Sequence, residues 1–155
     1  MSGGSESRLS EVLSSGVVLT ALRCGSLHEA LQSLLGPALE KEGLTPDAVQ
    51  AVFEAVEARE RIGSTSIGPV AVPHARVPGL KRIVGGLGIN PGGVFDGNRD
   101  ERLVLAFASP AQTPADHLRF LGRLAQVFRD EEARTLILAA PGAEAVLAAI
   151  RARER

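Results

Sequence analysis

Near the middle of the chain the sequence reads Val70-Ala-Val-Pro-His-Ala-Arg76. Its first three residues are apolar and predict a short buried strand over 70–72, which ends at Pro73 because proline has no N–H for a sheet ladder. His74 then stands where a loop begins. Strand ends are where α/β folds carry their sites, and a neutral imidazole there can act as a base, a ligand or a phosphoryl acceptor.

Sequence patterns on both sides of this segment predict alternating helices and strands. Ser26 and Glu29 form a capping box that opens one helix, and Thr45-Pro46 opens another with apolar residues at helical spacing. The predicted helices span 8–13, 26–41, 45–61, 113–129, 130–138 and 141–153. The predicted strands span 17–22, 70–72 and 83–89, and a buried strand begins with 103–107 and ends at Ser109-Pro110. We therefore expect an α/β fold in which a mixed β-sheet is flanked by helices.

Three other segments receive more specific predictions. The strand over 83–89 contains Gly85, Gly86 and Gly88, which are unfavourable inside a strand and which the pattern does not explain. The stretch over 63–69 is predicted to be a loop, and that over 95–97 a turn. The helix over 113–129 is predicted to turn one apolar face to the core, formed by Leu118, Leu121, Leu124, Ala125 and Phe128.

The length and composition of the chain indicate a single domain and argue against binding to nucleic acid or insertion into a membrane. With 155 residues, of which 45% are apolar, the chain is long enough for one domain, which we assign to 8–155 after a disordered tail over 1–7. The net charge of −1 and the 3% of aromatic residues argue against nucleic acid binding. No apolar run approaches the ~18 residues of a spanning helix, so no direct membrane insertion is expected. The polar N-terminus and the single cysteine, Cys24, indicate a cytoplasmic protein.

Three further side chains can carry chemistry or be ordinary surface residues. His28, in the first turn of the second predicted helix, is interpreted as a solvated residue. His117 lies in the first turn of the helix over 113–129, where a helix N-terminus favours phosphate, although a polar residue at a helix start is commonplace. Arg59, near the end of the helix over 45–61, suits the helix dipole, but its planar guanidinium can also bind phosphate oxygens.

Several catalytic motifs are missing from the sequence. Gly63 and Gly68 have the spacing of a phosphate-binding loop, but Pro69 follows them instead of lysine. The cysteine and the histidines lack zinc-site spacing, and the serines at 64 and 66 lack the glycine context of a hydrolase nucleophile. We therefore expect neither a metal nor another cofactor.

Three of these segments together resemble a known family. They are Arg59-Glu-Arg-Ile-Gly-Ser-Thr65, the Val70 to Arg76 segment, and Asp116-His-Leu118. Their order and rough spacing match the pattern of type-2 enzyme IIA of the bacterial phosphotransferase system, which includes fructose and mannitol transport domains and a nitrogen-related regulatory protein. The resemblance extends over about 9–151.

The resemblance implies a phosphocarrier in which His74 is phosphorylated, His117 is its partner histidine and Arg59 belongs to the phosphoryl site. It implies a phosphorylated HPr-type carrier, or its nitrogen-branch counterpart, as the donor. The phosphoryl group would then regulate a target protein or pass to a sugar-specific IIB domain, and a stand-alone chain favours regulation. The alternative is a non-catalytic binding module of the same fold that regulates a partner without phosphoryl transfer.

The sequence departs from the family pattern in three places. The loop over 67–70 is one residue shorter, the segment after Asp96 is shortened, and the strand over 84–90 is unusually rich in glycine. None of these differences removes a proposed reactive group, but each can change the geometry of the site or the choice of partner.

Overall fold

The computed structural model describes residues 8–90 and 102–154. The predicted tail over 1–7 and the predicted turn over 95–97 lie outside the described residues. The helices are α1 (Leu9–Ser14), α2 (Leu27–Leu34), α3 (Gly36–Lys41), α4 (Pro46–Ile62), α5 (Pro114–Phe128), α6 (Glu131–Leu138) and α7 (Ala143–Arg151). The strands are β1 (Val17–Leu19), β2 (Ser66–Ile67), β3 (Val70–Ala71), β4 (His74–Val77), β5 (Val84–Ile89) and β6 (Leu103–Pro110).

The sheet is organised around β6. On one side β5 runs antiparallel to β6, and β1 runs parallel to β5. On the other side β3 and β4 both run parallel to β6, with Val70 opposite Leu103 and His74 opposite Phe107. Strand β2 pairs antiparallel with β3. Parallel and antiparallel pairs thus occur in one sheet, which confirms the predicted mixed sheet.

Helices flank the sheet on both faces because the side chains of β6 alternate between two apolar cores. Leu103, Leu105 and Phe107 point into a core shared with α1, α5, α6 and α7. The residues between them point into a second core shared with α2, α3 and α4. Since β6 is buried on both faces, it reads as a continuous apolar run, and its end at Pro110 confirms the predicted end at Ser109-Pro110.

The predicted helix over 26–41 is wrong in one respect, because the structure divides it into α2 and α3 at Leu35. Pro37 follows, and its ring and missing N–H do not fit a helix interior, whereas they suit the first turn of a new helix. The first strand is also shorter than predicted and ends at Leu19.

The segment around His74 contains more regular structure than predicted. The expected loop over 63–69 includes β2, which is joined to β3 through Gly68 at φ +56°, in the left-handed region that favours glycine. The prediction that the strand ends where a loop begins at His74 is wrong as well. Pro73 interrupts the sheet ladder, but pairing with β6 resumes at His74 and continues to Val77.

The glycines of β5 are explained by close packing, and the strand itself is confirmed. A β-carbon on Gly86 would collide with the main chain of Leu34, so α2 approaches the sheet directly. A β-carbon on Gly85 would lie 2.8 Å from Cβ of Phe107, its cross-strand partner. Gly85 therefore leaves room for the aromatic ring that contacts His74.

Candidate functional site

The ring of His74 is held in one orientation at the start of β4. Its Nδ1 lies 2.9 Å from the carbonyl oxygen of Val72. Because a carbonyl oxygen only accepts hydrogen bonds, Nδ1 carries the proton and Nε2 keeps a free lone pair. Phe107 also holds the imidazole in place, because its ring stacks on that of His74 with centroids 4.9 Å apart and planes at 6° to each other.

His117 faces His74 from the first turn of α5. The two ring centroids are 5.2 Å apart. Nδ1 of His117 lies 2.6 Å from the hydroxyl of Ser109 near the end of β6. Both imidazoles are buried, with exposed fractions of 9% for His74 and 8% for His117. The structure thus brings together the two histidines that the sequence placed in separate segments.

The buried face of α5 differs from the predicted one. Leu118 was expected in the core, but its exposed fraction is 68%, and Leu121 and Ala125 are only partly buried. The helix turns His117 inward instead, where Ser109 satisfies its polar ring. The residues that face the sheet are His117, Phe120, Leu124, Val127 and Phe128.

Burial lowers the pKa of both histidines below the ordinary value of 6.5. For His74, desolvation is the main cause; the hydrogen bond to Val72 and the charge of Glu60 oppose it, whereas Arg59 adds to it. For His117, desolvation again dominates, and the electrostatic interactions with Arg76 and with the protonated form of His74 lower the pKa further. Both rings are therefore neutral at pH 7.

A cleft of about 300 Å³ opens beside His74 between α4 and β4, and Arg59 and Arg76 both line it. Arg59 donates from Nη1 to the carbonyl of Gly63 at 3.1 Å. Arg76 donates from Nη2 to the carbonyl of Ala111 at 2.9 Å. Each guanidinium has five N–H donors, so these single bonds leave others for an anion. The cleft therefore combines a neutral imidazole with two cations.

Sequence reasoning found three of these side chains and missed others. His74, His117 and Arg59 were candidates, whereas Arg76 was noted only as part of a motif. Arg76 stands two residues after His74 on the same strand, and strand periodicity is the signal that could have placed both on one side. The supporting roles of Phe107 and Ser109 left no signal, since they depend on how β4 pairs with β6.

His28 does not join this site. Its Nδ1 lies 2.9 Å from a carboxylate oxygen of Glu57 on α4, and its side chain is 45% exposed. Among residues 8–90 and 102–154, no group of three or more His, Cys, Asp or Glu is arranged to hold a metal ion. Within the same residues, no helix has the length and apolar character needed to cross a membrane.

The fold and the site define a class of α/β proteins in which a mixed sheet, covered by helices, carries two facing histidines next to a cationic cleft. The family model of the phosphoenolpyruvate-dependent sugar phosphotransferase system, EIIA 2, matches residues 11–153. The chain belongs to this family, which confirms the resemblance found in the sequence.

Related proteins agree with this assignment. A nitrogen regulatory protein of Bradyrhizobium diazoefficiens is 32% identical over 142 residues, which cover 89% of this chain and 91% of that protein. The crystal structure of the nitrogen regulatory protein IIA-Ntr from Neisseria meningitidis is similar at a TM-score of 0.76 and 29% identity, covering 92% and 98% of the two chains. Enzyme IIA of the Escherichia coli mannitol system, in a complex with phosphorylated enzyme IIB, shares the fold at a TM-score of 0.64 and 19% identity, covering 88% and 94%.

Proposed function

We propose that this chain is a cytoplasmic histidine phosphocarrier that accepts a phosphoryl group on Nε2 of His74. The observation that carries the proposal is the hydrogen bond from Nδ1 to the carbonyl of Val72. It fixes the proton on Nδ1 and leaves Nε2 as the nucleophile. The lowered pKa of His74 supports the same role, because the ring stays neutral and nucleophilic at pH 7.

The donor in this proposal is a phosphorylated HPr-type carrier or its nitrogen-branch counterpart. The lone pair on Nε2 of His74 attacks phosphorus and forms a new N–P bond, while the N–P bond of the donor breaks and the donor imidazole leaves with the electron pair. The proton stays on Nδ1, hydrogen-bonded to the Val72 carbonyl, so the step needs no co-reactant. Such transfers depend on alignment and on stabilising the charge of the three equatorial oxygens.

Three side chains can stabilise that charge. Arg59 and Arg76 line the cleft beside His74 and offer guanidinium N–H groups. When the hydroxyl of Ser109 donates to Nδ1 of His117, Nε2 of His117 carries a proton that can be donated to a phosphoryl oxygen. Donors fixed in place before the reaction are especially effective, because they do not reorganise during it.

An apolar groove supports docking of a protein donor at this site. The groove has a volume of about 410 Å³ and shares Ala55 and Arg76 with the cleft. Ala51 of α4 and Leu80 after β4 also line it. Apolar side chains that flank the phosphohistidine of an HPr-type carrier would fit this groove, while the arginines meet the phosphoryl charge.

Regulation is the proposed use of the phosphoryl group. The relatives named nitrogen regulatory protein support this choice. Phosphorylation of His74 would add negative charge at the cleft and so change which target protein binds there. Onward transfer to a IIB domain is the other use that the same chemistry allows.

Labelling by a phosphorylated HPr-type donor tests the proposal. We expect one phosphoryl group per chain, labile in acid and stable in alkali, as phosphoramidates are. His74→Ala should abolish the label, and His28→Ala is the matched control that should retain it. Labelling that persists in His74→Ala would show that another residue is the acceptor. A wild-type chain that binds the donor without being labelled would support the non-catalytic binding module.

A further inference from the structure

Thr65 has a buried hydroxyl that the steps above do not use. Its Oγ1 is shielded from solvent and has no hydrogen-bond partner within 8–90 and 102–154. Its main chain, by contrast, is held on both sides: the N–H donates to a carboxylate oxygen of Glu60 at 3.2 Å, and the carbonyl accepts from the N–H of Val72 at 3.0 Å. A buried polar group without a partner lowers stability, so an unsatisfied hydroxyl in a well-fixed segment calls for an explanation.

The register of the sheet places this hydroxyl on the same face as His74. Thr65 lies opposite Val72, one step beyond the last paired residues of β2 and β3. Directly opposed residues of an antiparallel pair project to the same face. The side chain of Val72 packs in the core that contains Phe107. His74 follows two residues later, and its ring stacks on the same Phe107.

Glu60 provides a second link between Thr65 and the histidine. Its carboxylate accepts the hydrogen bond from the N–H of Thr65. The same carboxylate is near enough to His74 for its charge to raise the pKa of the imidazole. Glu60 thus binds the main chain of Thr65 and also acts electrostatically on His74.

We propose that Thr65 is a further phosphoryl-binding residue, whose hydroxyl donates a hydrogen bond to an oxygen of the phosphoryl group on Nε2 of His74. This inference rests on the proposed function. The hydroxyl keeps its proton, and the N–P bonds form and break as described above. Because residues 8–90 and 102–154 offer this hydroxyl no hydrogen-bond partner, the new bond is gained only as the phosphoryl group arrives, and such an interaction lowers the barrier to transfer.

The test compares Thr65→Val, which removes the hydroxyl at constant shape, with Thr65→Ser, which retains it. Each variant is labelled both by phosphoramidate, a small donor, and by a phosphorylated HPr-type carrier. We expect Thr65→Val to slow labelling by about 10- to 100-fold with either donor, as for loss of a hydrogen bond to a charged group. Thr65→Ser should label at close to the wild-type rate. The melting temperature of Thr65→Val should be unchanged or higher, because an unsatisfied hydroxyl is removed.

The outcomes separate this inference from the proposed function. Wild-type rates for Thr65→Val, or a Thr65→Ser variant as slow as Thr65→Val, would overturn the role of the hydroxyl while leaving His74 as the acceptor. If neither donor labels His74 of the wild-type chain, the proposed function is overturned, and this inference with it. If Thr65→Val does not fold, Thr65→Ser and Thr65→Ala give the same comparison, since they differ only by the hydroxyl.

Discussion

His74 and His28 share two local features and differ in most others. In each residue Nδ1 lies 2.9 Å from an oxygen atom, and in each the ring lies beside a phenylalanine. The oxygen is a main-chain carbonyl for His74 and the carboxylate of Glu57 for His28. The phenylalanine stacks on His74, whereas Phe53 meets His28 edge-on with planes 90° apart.

The comparison shows that one short hydrogen bond does not make a phosphoryl site. The carboxylate beside His28 would repel an incoming phosphoryl group, because both are negatively charged. The carbonyl beside His74 fixes the tautomer without adding a full negative charge. His74 is also buried, faces a second histidine and borders a cleft lined by two arginines. His28 has a side chain that is 45% exposed, which suits the ordinary surface role predicted for it.

The largest expected difference concerns the partner histidine. His117→Ala should slow transfer to and from His74 by about 10²–10³-fold, the usual cost of losing one donor to a transition-state oxygen. His74 should remain phosphorylatable, because its nucleophilic nitrogen and its hydrogen bond to Val72 are untouched. The measurement is the rate of labelling by a phosphorylated donor and the rate of discharge to unphosphorylated carrier.

His28→Ala is the control for this experiment and should change neither rate. Equal rates for the His117 and His28 variants would place both histidines outside the chemistry. His117 would then be a buried residue that α5 tolerates because Ser109 satisfies its ring.

The next largest effect is expected for Arg59, which lines the cleft beside His74. It tests whether a cation in this cleft contributes to phosphoryl transfer. Arg59→Lys should slow transfer by about tenfold, because an ammonium group lacks the planar donors that match phosphate oxygens. The melting temperature should barely change, since the side chain is exposed and donates a hydrogen bond to the nearby Gly63 carbonyl. Transfer rate and thermal stability are measured on the same preparation.

Arg61→Lys is the matched control, two residues further along α4 and on a different face of the helix. It should change neither the transfer rate nor the melting temperature. Similar rates for the two variants would mean that Arg59 acts only as a helix-end charge, although it lines the cleft beside His74.

Local sequence signals predicted the mixed sheet, the limits of most helices and a candidate role for His74, whereas His117 was chosen through the family resemblance. They failed where distant parts of the chain decide the outcome. The strand at His74 exists because β6 offers a partner beyond Pro73, and no local pattern reveals that partner. The inward turn of His117 depends on a hydroxyl at Ser109, eight residues earlier in the chain. Apolar periodicity alone favoured Leu118 instead, which is exposed.

The glycines of β5 illustrate the same limit. In isolation they weaken a strand, and the sequence gives no reason for them. In the fold, Gly86 allows the main chain of α2 to approach, and Gly85 allows Phe107 to lie where it stacks on His74. The requirement comes from contacts with residues far away in the sequence, so it is visible only once the strands are paired.

The smallest expected effect is the pH dependence of stability, which tests whether burial keeps His74 neutral. The pKa of His74 is lowered in the folded chain, chiefly by burial. Between the unfolded value near 6.5 and the lower folded value, the unfolded chain therefore binds more protons than the folded chain. Folding stability contributed by neutral His74 is fully present above pH 6.5 and decreases as the pH falls through this window.

Replacing the imidazole by a neutral amide removes this titration. We expect His74→Gln to reduce the loss of folding stability between pH 7.5 and pH 5.5, measured by chemical denaturation at the two pH values. The comparison is made within each variant, so any change in stability common to both pH values cancels. No change in His74→Gln would show that burial at the site does not keep His74 neutral. The proposed nucleophile would then be protonated over the same pH range as an exposed histidine. The hydrogen bond to the Val72 carbonyl would fix its tautomer without keeping the ring neutral.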